Sequence, residues 1–368
     1  MSKARKLFIA AVDKDTGKTT TSIALMALAL KKYERVGYIK PFGGQTVNYK
    51  GRVVDKDVAL MAQVFGLNKN LKYMSPVVLS SDTTHKVVDG LISPQDLQDQ
   101  IVQACAELEK KCDFILIEGS GHPGVGSVIQ ISNARIANLL QAPVVMVTGG
   151  GLGNVVDRLA MTQLLFEKEN VDVKAILVNM LVPEKRERNL DYLSRALKDE
   201  PFKVIGGFDY QPILANPTLR RISSVLGLPL HGNKRELHRI IYQVQVGAAS
   251  TQRVAELIQE PSLIILTSSR DELIVTLSHL YKMPHYKDLI VGLVISGATA
   301  ISPMSQQILD DSNIPYIRAD KMITAELYQT INKDVSKIVA EDREKIDLIK
   351  SLAEKRFDFD MIDDLIST

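Results

Sequence analysis

The sequence predicts an α/β protein: a parallel sheet covered by helices on both faces, followed by a second, smaller α/β domain. Three observations carry this. Through the first 210 or so residues, short continuous apolar runs alternate with amphipathic stretches, the pattern of strands buried on both faces and joined by crossover helices. The rhythm lapses over residues 209–230, where Pro212, Pro217 and Pro229 interrupt it. It then resumes with a fresh set of strand and helix patterns.

Each element has its own signal. Leu7 to Val12 is an apolar run that opens on a Gly-Lys-Thr turn, and Thr20 to Tyr33 follows as a helix. Val36 to Pro41 reads as a second strand, stopped by its proline. Gln95 to Lys111 is a helix announced by Ser93 as cap and Pro94 in the first turn. Further strands fall at Phe114 to Ile117, ending on Glu118; at Pro143 to Thr148, ending in Gly149-Gly150-Gly151; at Lys174 to Val178, ending on Asn179; and at Val204-Ile205. In the second half, strands are expected near residues 244–248, 263–267, 289–296 and 316–317. Helices are expected near 251–259, 271–281, 303–311, 323–332 and 341–355, the last a charged amphipathic helix with a solvated face. The expected organisation is therefore residues 1–210 as the first domain, 211–240 as a linker and 241–368 as the second domain.

Composition narrows the function. Net charge is +2, from 45 basic and 43 acidic residues, and no basic stripe interrupts that balance, which argues against a nucleic-acid partner. Trp is absent and aromatics make up 5%, too few for a base-stacking platform. The N-terminal apolar run after Met1-Ser2-Lys3 is too short for a signal-peptide core, and no run approaches a membrane span, so the expected compartment is the cytoplasm with no membrane partner. Cys105 and Cys112 fall in one predicted helix, about two turns apart, too far for a disulfide, and are expected to be buried thiols.

The residues that carry chemistry gather at strand ends. Asp13-Lys14-Asp15-Thr16-Gly17-Lys18-Thr19-Thr20 lies between a buried strand and a helix, where backbone N–H groups surround phosphate oxygens. Gly17 lets the backbone approach, Lys18 reaches the outer phosphates and the Thr19 hydroxyl suits Mg²⁺. Val12 stands where the strict pattern has its first Gly, so the match is to the closing Gly-Lys-Thr. Mg²⁺ needs further oxygen ligands: Glu118, at a strand end, and Asp57 are the candidates. Lys40, at the end of the second strand, is placed to stabilise charge on a transferring phosphoryl group. His85 and His122 lack a third ligand at metal spacing, and Ser120 lacks the Gly-x-Ser-x-Gly frame of a hydrolase nucleophile.

Taken together, Asp13, Gly17-Lys18-Thr19, Tyr38-Ile39-Lys40-Pro41, Asp57, Glu118-Gly119 and Asn179 resemble dethiobiotin synthetase, a P-loop enzyme that uses ATP and Mg²⁺. The resemblance implies that Thr19, Asp57 and Glu118 hold Mg²⁺, that Lys18 and Lys40 contact phosphate or a phosphorylated intermediate, and that Asn179 reads the adenine edge. Over nearly the whole chain, the runs Glu118 to Ser127, Ser132 to Ala137 and Thr148 to Gly153 look like the N-terminal region of phosphotransacetylase. There a P-loop domain precedes a DRTGG domain, which residues 246–249, 263–267 with Arg270, and 292–297 resemble. That likeness implies a regulatory second domain, a homodimer, and a chain ending at Thr368 without the acyl-transferase region. Lys14 stands where dethiobiotin synthetase usually has Thr, His122 where it has a small residue, and Asp82-Thr83-Thr84-His85 lacks the apolar pattern of the diamine site. In the second domain, Ser268-Ser269-Arg270 replaces a usual Gly-Asp-Arg.

Two functions follow as expectations. One is an ATP-dependent ligase-like enzyme or ATPase that phosphorylates a carboxylate or carbamate oxyanion of an unidentified small molecule in the crevice beside Lys14 and Lys40. The other is a module that senses a regulatory nucleotide. A partitioning-type ATPase ranks behind both, because its signature lysine would stand where this chain has Asp13; Lys14 is one residue out of register.

Overall fold

The computed structural model describes residues 4–333 and 338–367; Met1-Ser2-Lys3 of the N-terminal stretch discussed above, and Thr368, lie outside the described residues. The chain divides into two compact units, Met1–Gln211 with Asp342–Thr368, and Pro212–Glu341.

The first unit is built on six parallel strands in the order Lys203–Gly206, Val173–Asn179, Val144–Gly149, Arg5–Ala11, Phe114–Glu118, Val36–Ile39. These are the six runs read as strands from their apolar character. The inner ones are buried along almost their whole length, which is why they read as continuous hydrophobic runs rather than alternating ones. Helix Lys18–Lys32 carries the chain from the Arg5–Ala11 strand toward the Val36–Ile39 edge. Helix Asn133–Leu139 carries it from Phe114–Glu118 across to Val144–Gly149, in the opposite direction. Right-handed crossovers running in opposite directions lie on opposite faces, so both faces are covered. The direction reverses at Arg5–Ala11, and the crevice beyond the carboxyl ends of the strands opens there.

The domain boundaries differ from those expected. Residues 342–368, assigned above to the second domain, complete the first unit. Helix Arg343–Arg356 buries Ile346, Ile349 and Ala353 and lies along helix Lys18–Lys32, with Lys31 and Glu354 paired at 2.6 Å. Helix Phe359–Leu365 then sets Asp363, 1% exposed, among Arg5 at 2.7 Å, Lys32 at 2.9 Å and the Tyr33 hydroxyl at 2.6 Å. Amphipathic periodicity says that a helix has a buried face but not which core it covers, so the sequence pattern left this attachment open.

Residues 212–240 are not a linker but part of the second unit. Helix Leu219–Leu226 is capped by the Thr218 hydroxyl, ends on Gly227 in the left-handed region at φ 65°, and buries Leu219 and Ile222. Prolines around so short a helix resemble a linker in sequence. The unit's sheet runs Leu230–His231, Tyr316–Ala319, Ile290–Ser296, Ser262–Thr267, Gln243–Val246, parallel except for the first strand. Two arginines brace the loops at its carboxyl end. Arg270 donates to the carbonyls of Gly247 and Ala249, both at 2.9 Å, and Arg318 to those of Ile295 and Thr299, both at 2.8 Å.

Candidate functional site

The turn after Arg5–Ala11 has the geometry of a phosphate loop. Gly17 sits at φ 84°, in the left-handed region, and a Cβ there would collide with the Asn179 amide, so two separate constraints call for glycine. No side chain caps helix Lys18–Lys32, and its first intrahelical bond is from Thr21 N–H to the Gly17 carbonyl at 2.9 Å. The first-turn N–H groups of Lys18, Thr19 and Thr20 lie at the positive dipole end of the helix, the end that favours an anion. Asp13 anchors the loop's beginning. Its carboxylate accepts from Lys14 N–H at 2.7 Å and pairs with Arg158; that backbone N–H and then Arg158 hold it below the usual carboxylate range. Lys14 and Asp15 are exposed at the apex, Asp15 at φ 58°. The Lys18 ammonium donates to the Gly121 carbonyl at 2.7 Å, bridging the loop to the turn after Phe114–Glu118.

Beside the loop lies a buried cluster of charge. Glu118, paired with Ile9 in the strand register, is fully buried. One of its oxygens accepts from the Thr19 hydroxyl at 3.0 Å and the other from the Tyr38 hydroxyl at 3.0 Å. Lys40, at the end of the adjacent strand, pairs with Asp57 and, at 3.2 Å, with Asp55. Burial raises the Glu118 carboxyl above its ordinary value, the Asp57 charge adds to this, and Lys40 partly offsets it. Burial alone would lower the Lys40 ammonium, but Asp57, Glu118 and Asp55 together reverse this and raise it. Tyr38 is pushed well up, by burial first and then by Glu118.

Asp55 was not singled out as a site residue, although Asp-Lys-Asp before a helix is an N-cap signal. It is 2% exposed, caps helix Lys56–Val64 by accepting Asp57 N–H at 3.0 Å, and holds Lys40 with the same oxygen. Asn133 was missed as well. It is fully buried and clamps the loop that meets Lys18, accepting Ser120 N–H at 2.9 Å and donating to the carbonyls of Ser120 and His122, both at 2.8 Å. Only its place in the Ser-Asn-Ala-Arg run after the Gly-rich stretch points to it.

The family AAA_26, described as an AAA domain, matches residues 5–218. The chain belongs to this family. The match covers the whole six-stranded sheet and its phosphate loop, so the first unit is a P-loop nucleotide-binding fold. Along its length, the chain is 24% identical over 365 residues to a phosphate acetyltransferase of Nitratidesulfovibrio vulgaris, covering 96% of this chain and 51% of that protein. It therefore spans about half of that relative. An ATP-dependent dethiobiotin synthetase of Nitrosopumilus maritimus is 27% identical over 227 residues, covering 59% of this chain and 94% of that one. Among solved structures, cobyrinic acid a,c-diamide synthase from Mycobacterium smegmatis with bound ADP and magnesium is 14% identical, covers 56% of this chain and 87% of that one, and has a TM-score of 0.35.

Within this AAA domain, the structure brings Lys18, Thr19, Glu118, Lys40 and Asp57 into one connected network. Asn179 also reaches the loop, but its amide is engaged by protein: nitrogen to the Thr16 carbonyl at 3.2 Å, oxygen from Phe208 N–H at 2.8 Å. His85 and His122 are exposed, and among the described residues no group of three His, Cys, Asp or Glu side chains is poised to bind a metal unaided. Cys105 and Cys112 are buried and form no disulfide; helix Pro94–Glu109 ends before Cys112, although the N–H groups of Lys110 and Cys112 still bond the carbonyls four residues back, of Ala106 and Leu108. No helix among the described residues is long and apolar enough to cross a membrane.

Proposed function

We propose that the first unit binds Mg·ATP and transfers its terminal phosphoryl group to an oxyanion, of carboxylate or carbamate type, on a small-molecule acceptor. The observation that carries this reading is the shared network: a phosphate loop whose Thr19 hydroxyl touches Glu118, beside Lys40 held by Asp57 and Asp55. The cluster suits a hard cation. Three carboxylates face two ammonium groups, Lys40 and Lys18, and a triphosphate would deepen the deficit of positive charge. Thr19, Asp57 and Glu118 offer the oxygen ligands. Bound there, Mg²⁺ would neutralise charge developing on the phosphoryl oxygens.

The chain's own residues supply the rest. The first-turn N–H groups of the helix and Lys18 receive the phosphates, which requires Lys18 to exchange the Gly121 carbonyl for phosphate oxygen. Lys40, fixed on two sides, offers a charge that does not reorganise as the reaction proceeds. Lys14, exposed at the apex, extends this positive field toward the acceptor. The test is release of ADP and phosphate from Mg·ATP across carboxylate and amine acceptors. Folded protein that binds ATP yet turns over none of them would count against transfer and leave binding intact.

A second reading is favoured by the similarity to phosphate acetyltransferase, which runs over 96% of this chain. In it, Pro212–Glu341 is a DRTGG-like regulatory unit, and nucleotide binding shifts the protein between two states that a partner, or a second copy in a homodimer, reads. Small-angle scattering with and without Mg·ATP tests this: superimposable profiles at saturating nucleotide, with an unchanged oligomeric state, would reject it.

A further inference from the structure

Asn179 is a strut. Two of its bonds join the Thr16 carbonyl, inside the phosphate loop, to the N–H of Phe208, in the turn after the Lys203–Gly206 strand, and a third reaches the Thr21 hydroxyl at 3.4 Å. Gly207 lies close against it: a Cβ at that position would sit 2.7 Å from the Asn179 oxygen. Where the loop stands therefore depends on where Gly207-Phe208-Asp209 stands.

The C-terminal segment holds that turn. The Phe357 ring meets the Phe208 ring edge-on, with centroids 4.7 Å apart, and the rings are 6% and 2% exposed. Next to them the Asp209 carboxylate, 5% exposed, takes Arg186 at 2.7 Å and Arg356 at 2.5 Å. Two neighbouring residues of the returning segment thus seat two neighbouring residues of the turn, more than a hundred positions away in sequence. The aromatic pair is buried, and the buried Asp209 carboxylate is held from two sides, by the largely buried Arg186 and by the exposed Arg356, so the turn is fixed rather than merely covered.

We propose that Phe357, with Arg356, is a positioning residue for the nucleotide site: it seats Phe208-Asp209, which hold Asn179, which holds the phosphate loop. This rests on the Mg·ATP-binding reading above. Phe357 touches no nucleotide. Its effect reaches the ligand through Asn179, so perturbing either residue removes the same support.

The experiment is titration calorimetry of Mg·ATP into the full chain, with thermal unfolding of each variant. Phe357→Ala is expected to weaken ATP binding roughly tenfold, Asn179→Ala by a similar factor, and the double variant by little more than either alone, the signature of a shared path. Phe357→Tyr, which keeps the ring, should restore affinity. Phe359→Ala is the control: its ring packs on Phe114 at 5.8 Å in the same segment, and it should lower the unfolding temperature while leaving ATP affinity within about twofold. Equal loss of affinity in Phe357→Ala and Phe359→Ala, or fully additive losses for Phe357 and Asn179, would overturn the proposal. Should Phe357→Ala fail to fold, Arg356→Ala carries the same expectation and is judged the same way. If the unaltered chain binds no Mg·ATP, the nucleotide reading fails and this inference falls with it.

Discussion

Replacing Lys40 by Met is the sharpest perturbation of the charge cluster. The side chain keeps its length and loses its ammonium, leaving Asp55, Asp57 and Glu118 facing one another. At 3.2 Å, and with an effective dielectric of about 20, the attraction between Lys40 and Asp55 alone is about 5 kcal/mol. Desolvation of both partners offsets much of that, and breaking a buried pair from one side costs about 3–5 kcal/mol. For a domain of this size that is a fall of roughly 6–20 °C in unfolding temperature. The sign with pH follows from Glu118. Its carboxyl is raised by burial and Asp57, and losing Lys40 raises it further. A group raised in the folded state takes up a proton as pH falls, so the penalty is larger at pH 8 than at pH 5.5. Mg²⁺ should act the other way. At a hundredfold excess over its dissociation constant a ligand contributes about 2.7 kcal/mol, and the more negative variant cluster should gain more from Mg²⁺ than the parent does. The assay is urea unfolding at both pH values, with EDTA or with Mg²⁺. A loss under about 1 kcal/mol, with the same Mg²⁺ response in both proteins, would mean that Lys40 does not balance these carboxylates.

Lys18→Ala should abolish Mg·ATP binding in calorimetry while leaving the fold intact by circular dichroism, since the Lys18 side chain is partly exposed and its ammonium meets the carbonyl of a loop turn. Asn133→Ala removes three hydrogen bonds from a fully buried amide and should cost about 2–4 kcal/mol in urea unfolding, with ATP affinity falling as the Gly119–Ser127 loop loosens. Asp363 governs acid stability of the C-terminal attachment. Burial works against its charge, but Tyr33, Lys32 and Arg5 prevail and hold it below its ordinary value of 3.8. A depressed carboxyl contributes stability that is fully present above the unfolded value and lost as pH falls through the lower, folded one, so Asp363→Asn should cost about 2–3 kcal/mol at pH 7 and less at pH 2. Urea unfolding at the two pH values reads this directly, and an equal cost at both would refute it.

The sheet was legible because its strands are buried on both faces, which leaves an unambiguous run such as Phe-Ile-Leu-Ile before Glu118. The candidate site was legible for a related reason: in a parallel sheet, strand ends converge on one edge, so Lys40, Glu118 and the loop after Arg5–Ala11 had to come together. Asp57 was readable only as a carboxylate near a helix start; that Asp55 shares Lys40 with it depends on the hairpin Thr46–Tyr49 and Arg52–Asp55, whose register local sequence does not announce. The destination of helix Arg343–Arg356 was hidden for a different reason. Ile346, Ile349 and Ala353 would suit any apolar face, and the contacts that choose one, such as Glu354 with Lys31, join residues far apart in the chain.

Asn179 is the residue whose role the geometry changes most. A strand-end amide beside a phosphate loop resembles a reader of the adenine edge, which needs a donor and an acceptor turned toward the base. Here the amide nitrogen serves the Thr16 carbonyl and the Thr21 hydroxyl, the oxygen serves Phe208, and the side chain is 2% exposed. An amide so placed stiffens the loop that binds phosphate, which every nucleoside triphosphate carries. On the positioning role proposed above, it would support affinity for the phosphates and discriminate little between bases. Selectivity for adenine would then fall to other groups at the same edge of the sheet, and any change in the seating of Phe208 would alter affinity for all triphosphates together.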